Sequence, residues 1–267
     1  MGPSSLVIKG LPSTLLRHFK TREALVADKE GEVADGTYSF PSVVEMLQYL
    51  RSHSRPGITF AVSQCARFTQ NPGKSHEVAL KRSGQYLKST MEDDLVLAPN
   101  AMLYIDCFVD ADFAGLWPHE EKLDSSCVRS RTGFVIFVAN CPIIWSSKPR
   151  TDIATSTMKA EYYALSMAMK ELIPLKRLVQ TESSSIGLGK ETITTFKTTV
   201  WEDNVGALTL AKLEPGRTTP RSKFYAVNYH WFHSQLKPNF IEIEKIESGK
   251  QKVDILTKGC LLMVSEK

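Results

Sequence analysis

Apolar residues change their spacing along this chain, and the changes mark out its elements. From Phe40 onward, Val43, Val44, Met46, Leu47 and Leu50 fall at helical intervals. Pro56 and Gly57 interrupt the run, and Phe60, Ala61, Val62, Cys65, Ala66 and Phe68 predict a second helix. Pro72 and Gly73 interrupt again before Val78, Ala79, Leu80, Tyr86 and Leu87 predict a third, ending near Thr90. Residues 1–38 mix Gly, Pro, Ser and charge with weak periodicity and read as a poorly ordered lead-in. After Pro99 the period shortens. Leu103 to Val109 reads as a strand ending in Asp110, and Thr132 to Val138 as a second, rich in β-branched and aromatic residues. Asn140-Cys141-Pro142 reads as a turn, and Ile143 to Ser147 as a third strand. The three together predict an antiparallel meander.

A long helix follows. Thr155-Ser156-Thr157 offers cap residues, and Met158, Tyr162, Leu165, Met169 and Leu172 make its apolar positions. Pro174 is expected to kink or end it. Residues 181–199 predict a loop, Thr199-Val200-Trp201 a short buried strand, and Ala207 to Ala211 a short helix. Beyond a loop marked by Pro215-Gly216 and Pro220, Val227 to Leu236 predicts a helix. Phe240 to Ile246 alternates as a half-buried strand, and Val253 to Leu262 predicts a closing helix. This order predicts a mixed sheet with helices, not the strict alternation of a doubly wound sheet. The organisation expected is a lead-in (1–38), a helical segment (39–98) and an α/β domain (99–262).

Composition narrows the class. With 267 residues, 42% apolar and 23% charged, the chain is an ordinary globular one rather than a disordered tail, a fibre or a coiled coil. It holds no apolar run of about 18 residues, and Met1 to Arg17 lack the pattern of a signal peptide. A soluble intracellular protein is expected. The net charge of +4 is compatible with nucleic acid without requiring it. The five cysteines are odd in number, widely spaced and without C-x-x-C, which argues against a disulfide framework or a zinc ribbon. Arg51, Arg55, Arg67, Lys74, Lys81, Arg82 and Lys88 on the helical segment form either a solvated face or a nucleic-acid surface.

Four acids occupy informative places: Asp110 at a strand end, Glu161 early in the long helix, Asp203 after the fourth strand, and Asp254 at the start of the last helix. If the first and fourth strands are neighbours, these carboxylates can converge. Like charges at 4 Å cost about 1–4 kcal/mol per pair, and a divalent cation removes that cost. All-oxygen ligation suits Mg²⁺ or Mn²⁺ rather than zinc. On spacing alone, four scattered surface acids remain the alternative. Other constellations are weaker. His230-x-x-His233 lacks further ligands, Gly187-Leu188-Gly189-Lys190 lacks phosphate-loop spacing, and Ser183 to Ser185 lack a nucleophile elbow. Trp145, Trp201 and Trp231 read as packing residues rather than base-stacking platforms.

The local sequences add a family. Val109-Asp110-Ala111-Asp112-Phe113-Ala114-Gly115, Ser156-Thr157-Met158-Lys159-Ala160-Glu161-Tyr162, Glu202-Asp203-Asn204 with Ala207, and Gln251 to Gly259 closely resemble, in order, the catalytic motifs of the ribonuclease H domain in copia-type retrotransposon polyproteins. Ser130 to Phe134 and Trp145 to Lys148 resemble the intervening strands. Ser54 to Ile58 and Tyr86 to Thr90 resemble the segment that joins the polymerase to that domain. The resemblance covers about residues 40–262.

It implies an α/β fold of the ribonuclease H type, a mixed five-stranded sheet flanked by helices and preceded by a small helical segment. It implies two-metal hydrolysis, with Mg²⁺ or Mn²⁺, of the RNA strand of an RNA–DNA hybrid. Asp110, Glu161, Asp203 and Asp254 match the metal-binding acids, in preference to their neighbours Asp112 and Glu202. Arg131, Lys148 and Lys223 are the expected contacts to nucleic acid. The chain departs from the family at Glu45, Gly57 and Phe224, so a degenerate module that binds nucleic acid without cutting it is the rival reading. Asp93-Asp94 lie in a polar linker, not in a polymerase hairpin; the palm is expected upstream of residue 1, and independent polymerisation is not expected.

Overall fold

The computed structural model describes residues 25–27, 31–117, 127–185, 196–214, 230–236 and 240–258. The chain divides into two compact units: Met1–Val96 with Gly115–Val128 and Ile255–Lys267, and Leu97–Ala114 with Arg129–Asp254. Among the described residues no helix is long and apolar enough to cross a membrane. Most of the 1–38 lead-in lies outside the described residues.

The first unit holds α1 (Phe40–His53), α2 (Thr59–Cys65) and α3 (Lys74–Ser89). Ser39 caps α1, its hydroxyl accepting from the Ser42 N–H, with a proline in the first turn where no amide donor is needed. The second helical run is not uniform. 3₁₀ turns at Pro56–Ile58 and Ala66–Phe68 flank a short α-helix. Phe40, Val44, Leu47, Ile58, Val62, Cys65, Leu80 and Tyr86 form the core of this unit. Buried His76 closes the start of α3. Its Nδ1 accepts from the Gly73 N–H at 2.8 Å, which leaves Nε2 to donate to the Val26 carbonyl at 2.8 Å.

The second unit is built on a sheet of β1 (Ile105–Asp112), β2 (Arg131–Val138), β3 (Cys141–Pro149), β4 (Thr198–Glu202) and β5 (Glu242–Lys245). The strand order is β3-β2-β1-β4-β5. β1, β2 and β3 pair antiparallel, while β4 runs parallel to β1 and β5 parallel to β4. This is the five-stranded mixed sheet the resemblance implies. α4 (Thr157–Ser185) and α5 (Val205–Lys212) flank it. Ile105, Cys107 and Val109 alternate along β1 on one face, and pack with Ile136 against Ala160, Ala164, Leu165, Ala168, Met169 and Leu172 of α4. Asp106, Phe108 and Asp110 take the alternate positions of the strand.

Three elements differ from the sequence reading, each for a local reason. The turn between β2 and β3 is Ala139-Asn140, both at positive φ (48° and 71°). A two-residue hairpin with primed-turn geometry requires this. Cys141 and Pro142 therefore belong to β3, an edge strand, where a missing amide donor is tolerated. Secondly, α4 continues through Pro174 to Ser185. Pro174 is exposed, and so is Lys170, whose carbonyl loses its helical donor and can turn to water. Buried Leu172, Ile173 and Lys176 hold the helix on both sides of the break. Thirdly, the described part of the expected 227–236 helix is a 3₁₀ turn, His230–Gln235. The last helix, α6, covers Asp254–Thr257, and the remainder of that expected element lies outside the described residues.

Candidate functional site

Because β4 lies parallel to β1, both strands deliver their C-terminal ends to the same edge of the sheet. Asp110 sits near the end of β1 and Asp203 directly follows β4. Asn204 caps α5, its side chain accepting from the Ala207 N–H, so the chain turns sharply just after Asp203. α4 brings Glu161, in its first turns, to the same place. The start of α4 is fixed by Ser156, whose hydroxyl accepts from the Lys159 N–H at 3.2 Å. Buried Arg150 stacks on Tyr163, 3.8 Å from guanidinium carbon to ring centroid, and pairs with Asp152. Arg150 therefore ties the end of β3 to the same helical turn.

Asp110, Glu161 and Asp203 each present an oxygen within 4.8 Å of the others. Asp110 is 1% exposed and Glu161 4%. Asp203 is half-buried, and its Oδ2 accepts from the Ser248 hydroxyl at 2.8 Å. Burial pushes the Glu161 carboxyl far above the usual carboxylate range, and the charges of Glu202, Asp110 and Asp203 add to the effect. The Ala111 N–H, bonded to Glu161, opposes it. Glu161 Oε2 is buried with no hydrogen-bond partner among the described residues.

A desolvated carboxyl surrounded by carboxyls is costly unless a proton or a cation joins it. The donor set is all oxygen, which fits a hard divalent ion such as Mg²⁺ or Mn²⁺. Such an arrangement can concentrate positive charge at one point beside a polar, solvent-reachable side chain, Asp203.

The remaining site expectations divide. Asp112 is not part of this convergence. Asp254 begins α6, half-buried, and is not among the carboxylates that converge. Lys148 is exposed on β3 and can reach a ligand from solvent. Arg131 does not fit the expectation of a nucleic-acid contact. It is 5% exposed, and its guanidinium donates to Ser147 Oγ at 3.1 Å across β2 and β3. A side chain committed inside the sheet cannot also meet a phosphate in solvent. Lys223 and Phe224 lie outside the described residues.

Glu202 carries more weight than its sequence suggested. It is fully buried, its Oε1 accepts from the Asn204 N–H at 2.9 Å, and its Oε2 has no partner among the described residues. Burial raises its carboxyl, and the charges of Asp203 and Asp110 raise it further. The signal available was register: in β4, Glu202 continues the alternation of Thr198 and Val200.

Comparison with known proteins identifies the relatives. The chain is 30% identical over 253 residues, 94% of its length, to the retrovirus-related Pol polyprotein from transposon TNT 1-94 of Nicotiana tabacum. It is 28% identical over 82% of its length to the Pol polyprotein from transposon RE1 of Arabidopsis thaliana. The chain belongs to the family of copia-type retrotransposon Pol polyproteins. It spans 17% and 14% of the lengths of those two relatives. No family model matches the sequence. Among solved structures, a ribonuclease H domain from Mycobacterium tuberculosis, determined as a fusion with maltose-binding protein, is 13% identical with a TM-score of 0.36. That match covers 58% of this chain and 91% of the other. The order and directions of the five strands, with their flanking helices, give the second unit a ribonuclease H-like fold.

Proposed function

We propose that this domain hydrolyses the RNA strand of RNA–DNA hybrids, endonucleolytically, with two divalent cations, Mg²⁺ or Mn²⁺. The observation that carries the reading is the convergence of Asp110, Glu161 and Asp203, with Glu161 Oε2 buried and unsatisfied. These three residues hold the ions in this reading, and Asp254 is the proposed fourth acid. The chemistry a pair of such ions supplies, when bound, is activation of water and neutralisation of charge at the leaving oxygen of a phosphodiester.

The chain's own residues supply the frame. The Ala111 N–H and burial fix Glu161, the β1 backbone fixes Asp110, and the half-buried Asp203 marks the side from which a phosphate enters. Exposed Lys148 on β3 is a proposed contact to the nucleic-acid backbone, and Lys223 a second. Hybrid is recognised by phosphate and 2′-hydroxyl contacts rather than by base reading. Site occupancy by a cation, the hybrid substrate and an intracellular place of action rest on the family resemblance together with this convergence.

The test is cleavage of an end-labelled RNA–DNA hybrid by the full chain with Mg²⁺ or Mn²⁺, beside Asp203→Asn. Internal cuts in the RNA strand are expected, with the variant slower by about 10²-fold or more, the scale of losing one preorganised electrostatic group. Folded protein that binds hybrid and leaves it intact with either ion would replace this reading with the binding module.

A further inference from the structure

The segment between β5 and α6 is tied to the strand ends that carry Asp110 and Asp203 by three hydrogen bonds. Its centre is a single 3₁₀ turn, Ser248–Lys250, closed by the Lys250 and Gln251 N–H groups on the carbonyls of Glu247 and Ser248. The Ser248 hydroxyl donates to Asp203 Oδ2 at 2.8 Å. Gln251 Nε2 donates to the carbonyl of Val109 at 2.9 Å, immediately before Asp110. The Ile246 N–H donates to the carbonyl of Glu202 at 3.0 Å, immediately before Asp203. A stretch of six residues thus holds the ends of both strands that carry acids.

Asp203 needs this help more than its neighbours do. It lies just beyond β4, half-buried, and the terminal torsion of an aspartate is soft. Glu161, by contrast, is buried and held by a backbone amide. A hydroxyl on Oδ2 fixes the plane of the Asp203 carboxylate without bringing in a charge. A lysine in the same place would neutralise the carboxylate and compete with a cation. The nearby Lys250 is engaged by Glu247 at 2.9 Å. Gln251 is 7% exposed, so its bond to Val109 is protected from water and pins the turn from which Ser248 reaches out.

We propose that Ser248 is a positioning residue of the cation site, orienting Asp203, and that Gln251 anchors the turn that carries it. This rests on the reading of Asp110, Glu161 and Asp203 as a cation site. The chemistry is that of an outer-shell partner: it touches the ligand, not the ion, and sets how precisely the ligand is presented.

The test is calorimetric titration of the full chain with Mn²⁺ alone, with thermal melting measured in parallel. Ser248 is exposed, so Ser248→Ala is expected to melt with the wild type. It is expected to bind Mn²⁺ about tenfold more weakly, the lower end of outer-shell effects. Ser248→Thr keeps the hydroxyl and is expected to restore affinity, which a role in packing alone would not require. Gln251→Ala is expected to melt lower and to bind Mn²⁺ more weakly. Unchanged Mn²⁺ affinity in Ser248→Ala, or no recovery in Ser248→Thr, overturns the role of Ser248. Unchanged affinity in Gln251→Ala overturns that of the anchor. Wild-type protein that takes up no Mn²⁺ overturns both, together with the cation site beneath them.

Discussion

Glu202 is the side chain whose chemistry agrees least with its surroundings. It is fully buried, one carboxyl oxygen has no partner among the described residues, and two other carboxylates raise its proton affinity. Gln at this position keeps an acceptor for the Asn204 N–H and removes a carboxyl from a crowded acidic site. In the absence of divalent ions, Glu202→Gln is expected to be more stable by about 1–2 kcal/mol, or several degrees in melting temperature. Thermal unfolding in chelator measures it, and a lower melting point would mean that the carboxylate itself is needed. The contrast with Asp110, Glu161 and Asp203 shows what a sequence carries at this scale. Those three were legible because each sits in a local motif with fixed neighbours. Glu202 sits in the same motif, but its full burial depends on strand register, which no local motif states. Arg131 misled for the mirror-image reason. A basic residue beside a motif reads as a phosphate contact until the sheet shows it facing Ser147.

Elements were legible where the apolar period was long and uninterrupted, as in β1, β2 and the first half of α4. They were less legible where a local breaker met tertiary packing. Pro174 is a strong local signal to stop, yet α4 continues, because buried side chains on its far half outweigh one lost hydrogen bond. Lys176 is one of these. It is 1% exposed, donates to the Phe240 carbonyl just before β5, and lies 4.1 Å from the Phe240 ring centroid. Burial lowers its ammonium from the ordinary lysine value of about 10.4 to about 8. Between these values the unfolded chain binds the proton and the folded chain has released it, so stability from this group rises with pH across the window. Between pH 8 and 10, wild-type protein is expected to gain stability relative to Lys176→Met, and the difference in denaturant midpoint reads it. A gap that stays constant over that range would mean that the Phe240 carbonyl and rings compensate the burial completely. No periodicity in the sequence announces such a lysine, because its position looks like any polar residue on a long helix.

For the whole molecule, the sequence order of strands and helices was enough to reach a mixed sheet, and the motifs were enough to reach its family. What neither carried is the balance struck where the strands end. Three acids held within 4.8 Å cost stability when no ion is present. They are tolerable only because the core of Ile105, Cys107, Val109, Leu165, Met169 and Leu172 supplies the surplus. That balance gives one substitution opposite effects under two conditions. Without divalent ions, Asp110→Asn removes a buried carboxylate from beside two others, so it is expected to melt above the wild type. With Mn²⁺ at about one hundred times its dissociation constant, the wild type gains roughly 2.7 kcal/mol by mass action, while the variant, short of a ligand, gains little. The order of melting temperatures should therefore invert on adding Mn²⁺, by several degrees in each direction for a protein of this size. Scanning calorimetry of both proteins in chelator and in Mn²⁺ reads this directly. A variant below the wild type in both conditions would show that Asp110 works as a structural group. A variant above it in both would show that the acids converge without holding an ion.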